Sequence, residues 1–415
     1  MRVLQGRQAE ALLRILERRG AAGRNEIEPR VRRIISNVRK HGDHALRRYA
    51  ERWDGLAKGE AFLVSDSEMQ RAWDTVPAKF RSAIEQAAGN VRRFCEWQKP
   101  TEWRRQVMGG VWVGQIVRPL RSVSCYVPGG RHPLPSTLLM TVIPAQVAGV
   151  LQVRIVSPRP APETLAAAAF LGISEFYRIG GAQAIAALAY GTESITRAEK
   201  IVGPGNKYVT AAKRLVSSDC AIDMLAGPTE VVIVADSGEP AFLAADLVAQ
   251  AEHDPDAIAV FITAVPPLAR AVAHEVRRRS FRNPIARESL QRNGAVLLVR
   301  SREEALEAAN RIAPEHLTIV ANSLAPVRNA GSVFLGDYSP QAAGDYAVGP
   351  NHVLPTGGAA RLRGGLSVLD FVKVISVQEL SSRGLRSLAP AITTLAQAEG
   401  LRAHAESVRI RCSNA

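Results

Sequence analysis

No run of eighteen apolar residues occurs in this sequence of 415 residues, so no segment has the length and apolarity of a membrane-spanning helix. Its start, Met1-Arg2-Val3-Leu4-Gln5-Gly6-Arg7, lacks the basic opening, apolar stretch and small-residue cleavage site of a secretory signal. The expected setting is therefore cytoplasmic, with no membrane partner. Cysteine is scarce. Cys95, Cys125, Cys220 and Cys412 are too scattered for a disulfide framework or a cysteine-ligated zinc site. Cys125 lies beside a glycine-rich turn and is a candidate aldehyde trap, but nothing nearby in the sequence supplies a base to lower its pKa. Aromatic residues make up 5%, and all five Trp (Trp53, Trp73, Trp97, Trp103, Trp112) fall in the first 112 residues. None stands in a basic-aromatic stacking pattern. Lys and Arg outnumber acids to give a net charge of +14, yet the basic runs 30–40 and 277–282 are short and read as solvated helix faces. A nucleic-acid partner, which would need clustered charge, is not expected.

What the chain has is a hydrophobic content of 47%, enough for a sizeable core and two or three domains. Apolar residues at three- and four-residue spacing predict helices over 9–19, 31–39, 45–52 and 79–96. From Val111 short β-branched runs alternate with helical segments. Strands are expected at 111–117, 122–127, 152–157, 175–179 and 200–202, and a second series at 230–235, 257–263, 295–299 and 317–320. Such alternation marks α/β units with largely parallel sheets. From Val368 the chain reads as helix again, chiefly over 388–405.

Three glycine-rich turns follow strands of the first series: Tyr126-Val127-Pro128-Gly129-Gly130, Gly180-Gly181-Ala182-Gln183 and Gly203-Pro204-Gly205-Asn206. All are expected at the carboxyl edge of one parallel sheet, where glycine lets backbone N–H groups approach a nucleotide phosphate. None has the GxGxxG pattern, so the turns point to a nucleotide without specifying NAD. Tyr126, Gln183 and Asn206 carry the polar side chains of these loops and are candidate cofactor contacts.

Of eight His, His41, His44 and His274 lie among charged helical neighbours and His132 lies in a loop. The rest are concentrated after Gln250. In Gln250-Ala251-Glu252-His253-Asp254-Pro255 the sequence closes a helix with an amide and an imidazole at i and i+3, on one face. Pro314-Glu315-His316-Leu317 enters a strand with a carboxylate and an imidazole adjacent, the groups most used for proton transfer near neutral pH. Gly344-Asp345-Tyr346 places an acid in a glycine-flanked loop, His352 follows, and His404 belongs to the terminal helix. Gln250, His253, Asp345 and His404 would make a mixed N/O set suited to zinc, one of several groupings that the spacing allows.

At these residues the sequence resembles the histidinol dehydrogenase family, from about Arg118 to about Arg409. The matching stretches are GGAQAIAALAYG (180–191), VGPGNK (202–207), AGPTEV (226–231), QAEHDP (250–255), PEHL (314–317), FLGDYSPQAAGDY (334–346) and NHVLPT (351–356). The resemblance implies an α/β fold of two incomplete Rossmann-like, doubly wound units with helical N-terminal and C-terminal extensions. An extension would occupy 1–21. The first domain would be discontinuous, 22–121 and 230–365; the second would span 122–229; and 366–415 would reach the partner subunit of a homodimer. It also implies one zinc ion per subunit, held by Gln250, His253, Asp345 and the partner-donated His404, and NAD contacted by Tyr126, Gln183 and Asn206. Glu315 and His316 would be the acid/base pair, and Thr229, His352 and Glu399 would join them and the zinc ligands around the substrate.

The implied reaction is oxidation of L-histidinol through L-histidinaldehyde to L-histidine with two NAD, His316 taking the alcohol proton and Glu315 activating water. Two positions depart from the family's usual pattern. Thr229 stands where serine is frequent, and Arg131-His132 follow Pro128-Gly129-Gly130 where smaller residues are common. The first keeps the hydroxyl. The second leaves open a related small polar alcohol as the substrate of the same scaffold.

Overall fold

The computed structural model describes residues 1–20, 25–129, 133–320 and 324–413; Gly130, Arg131 and His132 of the first glycine-rich turn lie outside the described residues. In chain order the strands are β1 (Arg2–Gln5), β2 (Trp103–Met108), β3 (Val111–Pro119), β4 (Ser122–Tyr126), β5 (Gln152–Val156), β6 (Glu175–Tyr177), β7 (Lys200–Val202), β8 (Ala221–Ile222), β9 (Glu230–Val234), β10 (Ile258–Thr263), β11 (Gly294–Leu298), β12 (His316–Ile319), β13 (Ser332–Leu335) and β14 (Val372–Leu380).

They form three sheets. The first is fully parallel in the order β6-β5-β4-β7-β8. The second repeats that winding as β11-β10-β9-β12-β13, with β1 added parallel to β11 at its edge. In each, the order reverses beside the first strand of the winding, between β4 and β7 and between β9 and β12. The central strands are continuous apolar runs because helices cover both faces: every residue of β4 and of β9 is buried. Proline at the first or second helical position opens the helices Pro135–Ala148, Pro162–Phe170 and Pro240–Ala251, where its missing N–H costs nothing.

The N-terminal helices Glu28–Tyr49 and Ala78–Gln98 complete the core of the five-stranded sheet. Ile34, Val38 and Leu46 pack with Val156, Ile185 and Val209 on one face, and Ile84, Ala88 and Val91 pack with Val123, Leu139 and Phe176 on the other. These helices, which the resemblance groups with 230–365, turn their buried apolar faces to the 122–222 sheet.

The third sheet differs from expectation. Residues 111–119 begin no parallel unit; β3 lies between β2 and β14, antiparallel to both. The segment from Val368, read as helix, first forms β14, and the expected helix over 388–405 is two helices, Ser382–Ala398 and Arg402–Ser413, broken at Gly400 (φ 76°). Strand β14 is largely exposed on both faces within one chain, so no buried face imposes a period-2 pattern on its sequence. β1 was likewise missed, being four residues at a sheet edge.

Candidate functional site

The three glycine-rich turns stand at the carboxyl edge of the five-stranded sheet, as their positions after β4, β6 and β7 require. Gly203 has φ 107°, and a Cβ there would strike the Tyr126 carbonyl, so the turn after β7 needs glycine. A buried ion pair pins this turn: Lys213 Nζ donates to the Gly203 carbonyl at 2.9 Å and to Asp223, whose other oxygen accepts from Gly203 N at 2.7 Å. The turn is thereby held to the helix that follows it and to the end of the neighbouring strand β8.

Tyr126, Gln183 and Asn206 meet around one cavity of about 300 Å³, together with Arg30, Trp53, Asp54, Arg159, Gly181 and Tyr208. Each of the three has part of its polarity spent on backbone or neighbours. Tyr126 Oη accepts from Gly181 N at 3.0 Å, and Asn206 Oδ1 caps the helix Lys207–Val216 by accepting from Tyr208 N at 2.9 Å and Val209 N at 3.2 Å. Gln183 Nε2 donates to Asp54 Oδ2 at 3.0 Å. Asp54 was not singled out in the sequence, nor was Arg30, whose guanidinium lies 5.6 Å from the Trp53 ring and 5.5 Å from the Tyr208 ring. The sequence shows no basic-aromatic pattern there because the partners are far apart along the chain. Burial pushes the Asp54 carboxyl up, against the pull of the Gly180 N–H, the Gln183 amide and the Arg159 charge.

The His and acidic residues gather at the opposite kind of edge. Thr229 and Glu230 open β9, and Glu315 and His316 open β12, so this group stands at the amino edge of the six-stranded sheet, beside its reversal point. Gln250 Nε2 donates to Thr229 Oγ1, and Thr229 Oγ1 donates in turn to Glu315 Oε2 at 2.5 Å. The same oxygen accepts from Glu230 N at 2.8 Å. Oε1 of Glu315 is left without a hydrogen-bond partner among the described residues. His316 Nδ1 lies 3.3 Å from the Glu230 carbonyl and its Nε2 lies 3.4 Å from Asp345 Oδ1, without the alignment of a hydrogen bond. His352 Nδ1 meets the Asp345 carbonyl at 2.7 Å, and its Nε2 is 3.4 Å from Thr137 Oγ1.

Burial opposes the charged form of His316, but the carboxylates of Glu315 and Asp345 outweigh it and raise the imidazole to about 10. Burial also opposes the Asp345 charge; the approach of His316, with His352 and His253 beyond, holds that carboxyl below its ordinary value. Burial pushes His352 down.

Two local expectations are corrected. The helix Pro240–Ala251 ends before His253, which sits past the cap with its N–H 3.4 Å from the Gln250 carbonyl; a backbone turn, not a shared helical face, links the two. Asp345 lies in the short helix Gln341–Tyr346 rather than in a loop. That helix packs against Pro240–Ala251. Glu399 and His404 are not part of the assembly within one chain: both are exposed on the C-terminal helical pair.

Among the described residues no three His, Cys, Asp or Glu form a metal-holding group. A single chain brings a buried amide oxygen from Gln250, whose nitrogen is committed to Thr229, the His253 imidazole and the Asp345 carboxylate. This donor chemistry fits zinc, and it is one ligand short of four.

A cleft of about 620 Å³ joins the two halves, lined by Gly205 and Asn206 from one sheet and Thr229 and His253 from the other. A smaller cavity of about 150 Å³ continues it past Gly203, Thr229, Glu315 and His352. Cys125 is outside both. Its thiol is fully buried, and burial pushes it up to about 12, so the aldehyde-trapping route has no nucleophile here.

A sequence model of the family described as histidinol dehydrogenase matches residues 17–412. The chain is 48% identical to the histidinol dehydrogenase of Methanothermobacter thermautotrophicus, covering 91% of this chain and 92% of that one. It is 49% identical to that of Haloarcula marismortui, covering 94% of each. The crystal structure of histidinol dehydrogenase from Elizabethkingia anophelis superposes with a TM-score of 0.95 at 34% identity, covering 100% of this chain and 98% of that one.

Proposed function

The chain belongs to the histidinol dehydrogenase family, and we propose that its cleft carries out the NAD-linked, zinc-dependent oxidation of L-histidinol to L-histidine, at the end of histidine biosynthesis. The observation that carries this reading is the hydrogen-bonded series Gln250–Thr229–Glu315, whose Thr229 lines the same cleft as Asn206, with His316 and Asp345 beside it on a neighbouring cavity of about 190 Å³ that also reaches His352.

L-Histidinol first loses a hydride from its alcohol carbon to NAD and its hydroxyl proton to His316, whose imidazole would be neutral once bound zinc offset the carboxylate charge that raises it, and L-histidinaldehyde forms. Water then adds to the aldehyde carbon. Glu315 removes a proton from that water through Oε1, the oxygen left open by the two donors on Oε2. The hydrate anion left by that proton transfer loses a second hydride to a second NAD and its remaining hydroxyl proton to the site, giving the carboxylate. Zinc would be held by Gln250, His253 and Asp345 with His404 of a second copy, and would supply a fixed charge that orients the substrate's nitrogens and balances the Asp345 carboxylate. Thr229 fixes the Glu315 rotamer, and His352, held by the Asp345 carbonyl, borders the substrate space.

The dimer is supported by apolar surface. Trp103, Val107 and Met108 of β2, Val374, Ile375 and Val377 of β14, and Leu395 and Ile410 of the terminal helices are all exposed in a single chain. Among the described residues no helix is long and apolar enough to cross a membrane, and the reading places the enzyme in the cytoplasm. The test is an assay of the zinc-loaded protein with histidinol and NAD. Two NADH per histidinol consumed is the expected count; one would mean that the aldehyde is released and that Glu315 has no part in a second oxidation.

A further inference from the structure

Resting on the NAD-linked reading above, we propose that Asp54 is a positioning residue of the nucleotide site, which fixes the Gln183 amide so that its oxygen accepts a hydrogen bond from a cofactor hydroxyl. Asp54 comes from the N-terminal helical region, at the end of the turn Ala50–Asp54, and is 5% exposed. Its Oδ2 accepts from Gly180 N and from Gln183 Nε2, each at 3.0 Å. A carboxylate only accepts, so the amide nitrogen of Gln183 must face Asp54 and its oxygen must face away.

Gly181 makes room for that orientation. It has φ 64°, and a Cβ there would lie 2.7 Å from Gln183 Oε1, so the amide oxygen rests against the bare Cα at the floor of the cavity. One carboxylate thus anchors both the turn, through Gly180, and the side chain beneath it. The remaining contacts have a fixed sense as well. Tyr126 Oη already accepts from Gly181 N and has its proton left to donate, and Asn206 has spent Oδ1 on the helix cap and keeps Nδ2 as a donor. Gln183 therefore supplies an acceptor to a cavity whose other two candidate contacts donate. An acceptor suits a ribose hydroxyl and opposes a phosphate oxygen, which has no proton to give at neutral pH.

The experiment compares wild type, Asp54→Asn, Gln183→Met and the double variant, measuring the KM for NAD and kcat at saturating histidinol, with a melting curve for each. Asp54→Asn lets the amide turn over, and Gln183→Met keeps the shape but removes the oxygen. Each is expected to raise the KM for NAD about 10- to 100-fold, with kcat within about threefold, and the double variant to be no worse than the worse single. An unchanged KM in Asp54→Asn overturns the assignment, as do effects that multiply in the double variant, which would mean that Asp54 acts without Gln183. Gln183→Met tests the acceptor even if Asp54→Asn does not fold, since a wild-type KM there would show that no cofactor group meets Oε1. Wild type that makes no NADH from histidinol and NAD would overturn the cofactor reading itself; wild type that does, with unaffected variants, overturns only the role of Asp54.

Discussion

The hydroxyl of Thr229 bridges Gln250 and Glu315, receiving the amide of one and donating to Oε2 of the other at 2.5 Å. It ties a proposed zinc ligand to the proposed base. Thr229→Ser keeps the hydroxyl and should retain kcat/KM within about threefold, whereas Thr229→Ala leaves a buried carboxylate short of one hydrogen bond and should lower it about 10- to 100-fold. Equal activity of both variants in a steady-state assay would remove the bridge from the mechanism.

Zinc content and activity should fall together in His253→Ala and in Asp345→Ala, since neither ligand has a nearby substitute. Chelation of the wild type should abolish activity and zinc should restore it. Elemental analysis that finds one tightly bound zinc per subunit in both variants would take these residues out of the site.

Because Glu399 and His404 are exposed on the C-terminal helices, activity should need a second copy. Mixing the inactive variants His253→Ala and His404→Ala under subunit exchange should give heterodimers with one intact pocket, or roughly a quarter of full activity in a one-to-one random mixture. Confirmed exchange without any recovery would show that His404 serves its own chain or ligates nothing.

Cys125→Ala should leave the yield at two NADH per histidinol, with a loss of about 1 kcal/mol of stability for a small buried gap. A thiol held at about 12 is thiolate in only about one molecule in ten thousand at pH 8. Activity should resist iodoacetamide at that pH, since no cysteine lines the cleft or its neighbouring cavities among the described residues; a variant that stops after one NADH would restore the covalent route.

Much of this was legible in sequence. Continuous apolar runs such as Val231–Val234 announce strands covered on both faces, and the residues after β4, β6 and β7 announce their turns through glycine. Glu315-His316 could be read because the pair is adjacent in the chain. Asp54 could not: its partners, Gly180 and Gln183, lie more than a hundred residues away, and no local period records that contact. The same holds for Arg30, set between Trp53 and Tyr208 only by folding. The end of the helix before His253 was misplaced because the turn that follows preserves the spacing a longer helix would have given. The antiparallel sheet was missed since β14 is largely exposed and lies within a segment read as helical.

The two wound units contribute opposite edges to one cleft, and this sorts charge before any side chain acts. In a parallel sheet with helical crossovers, helices begin at the carboxyl edge and end at the amino edge, carrying partial positive charge at the start and partial negative charge at the finish. The wall proposed for the nucleotide therefore sits under the starts of Gly181–Tyr190 and Lys207–Val216, poles that favour an anion such as a pyrophosphate. The opposite wall sits by the finish of Pro240–Ala251 and Arg302–Ile312, poles that attract a metal cation. Using the same winding twice, head against tail, gives the cleft an electrical polarity written in the backbone, which charged side chains of the lining then reinforce or oppose.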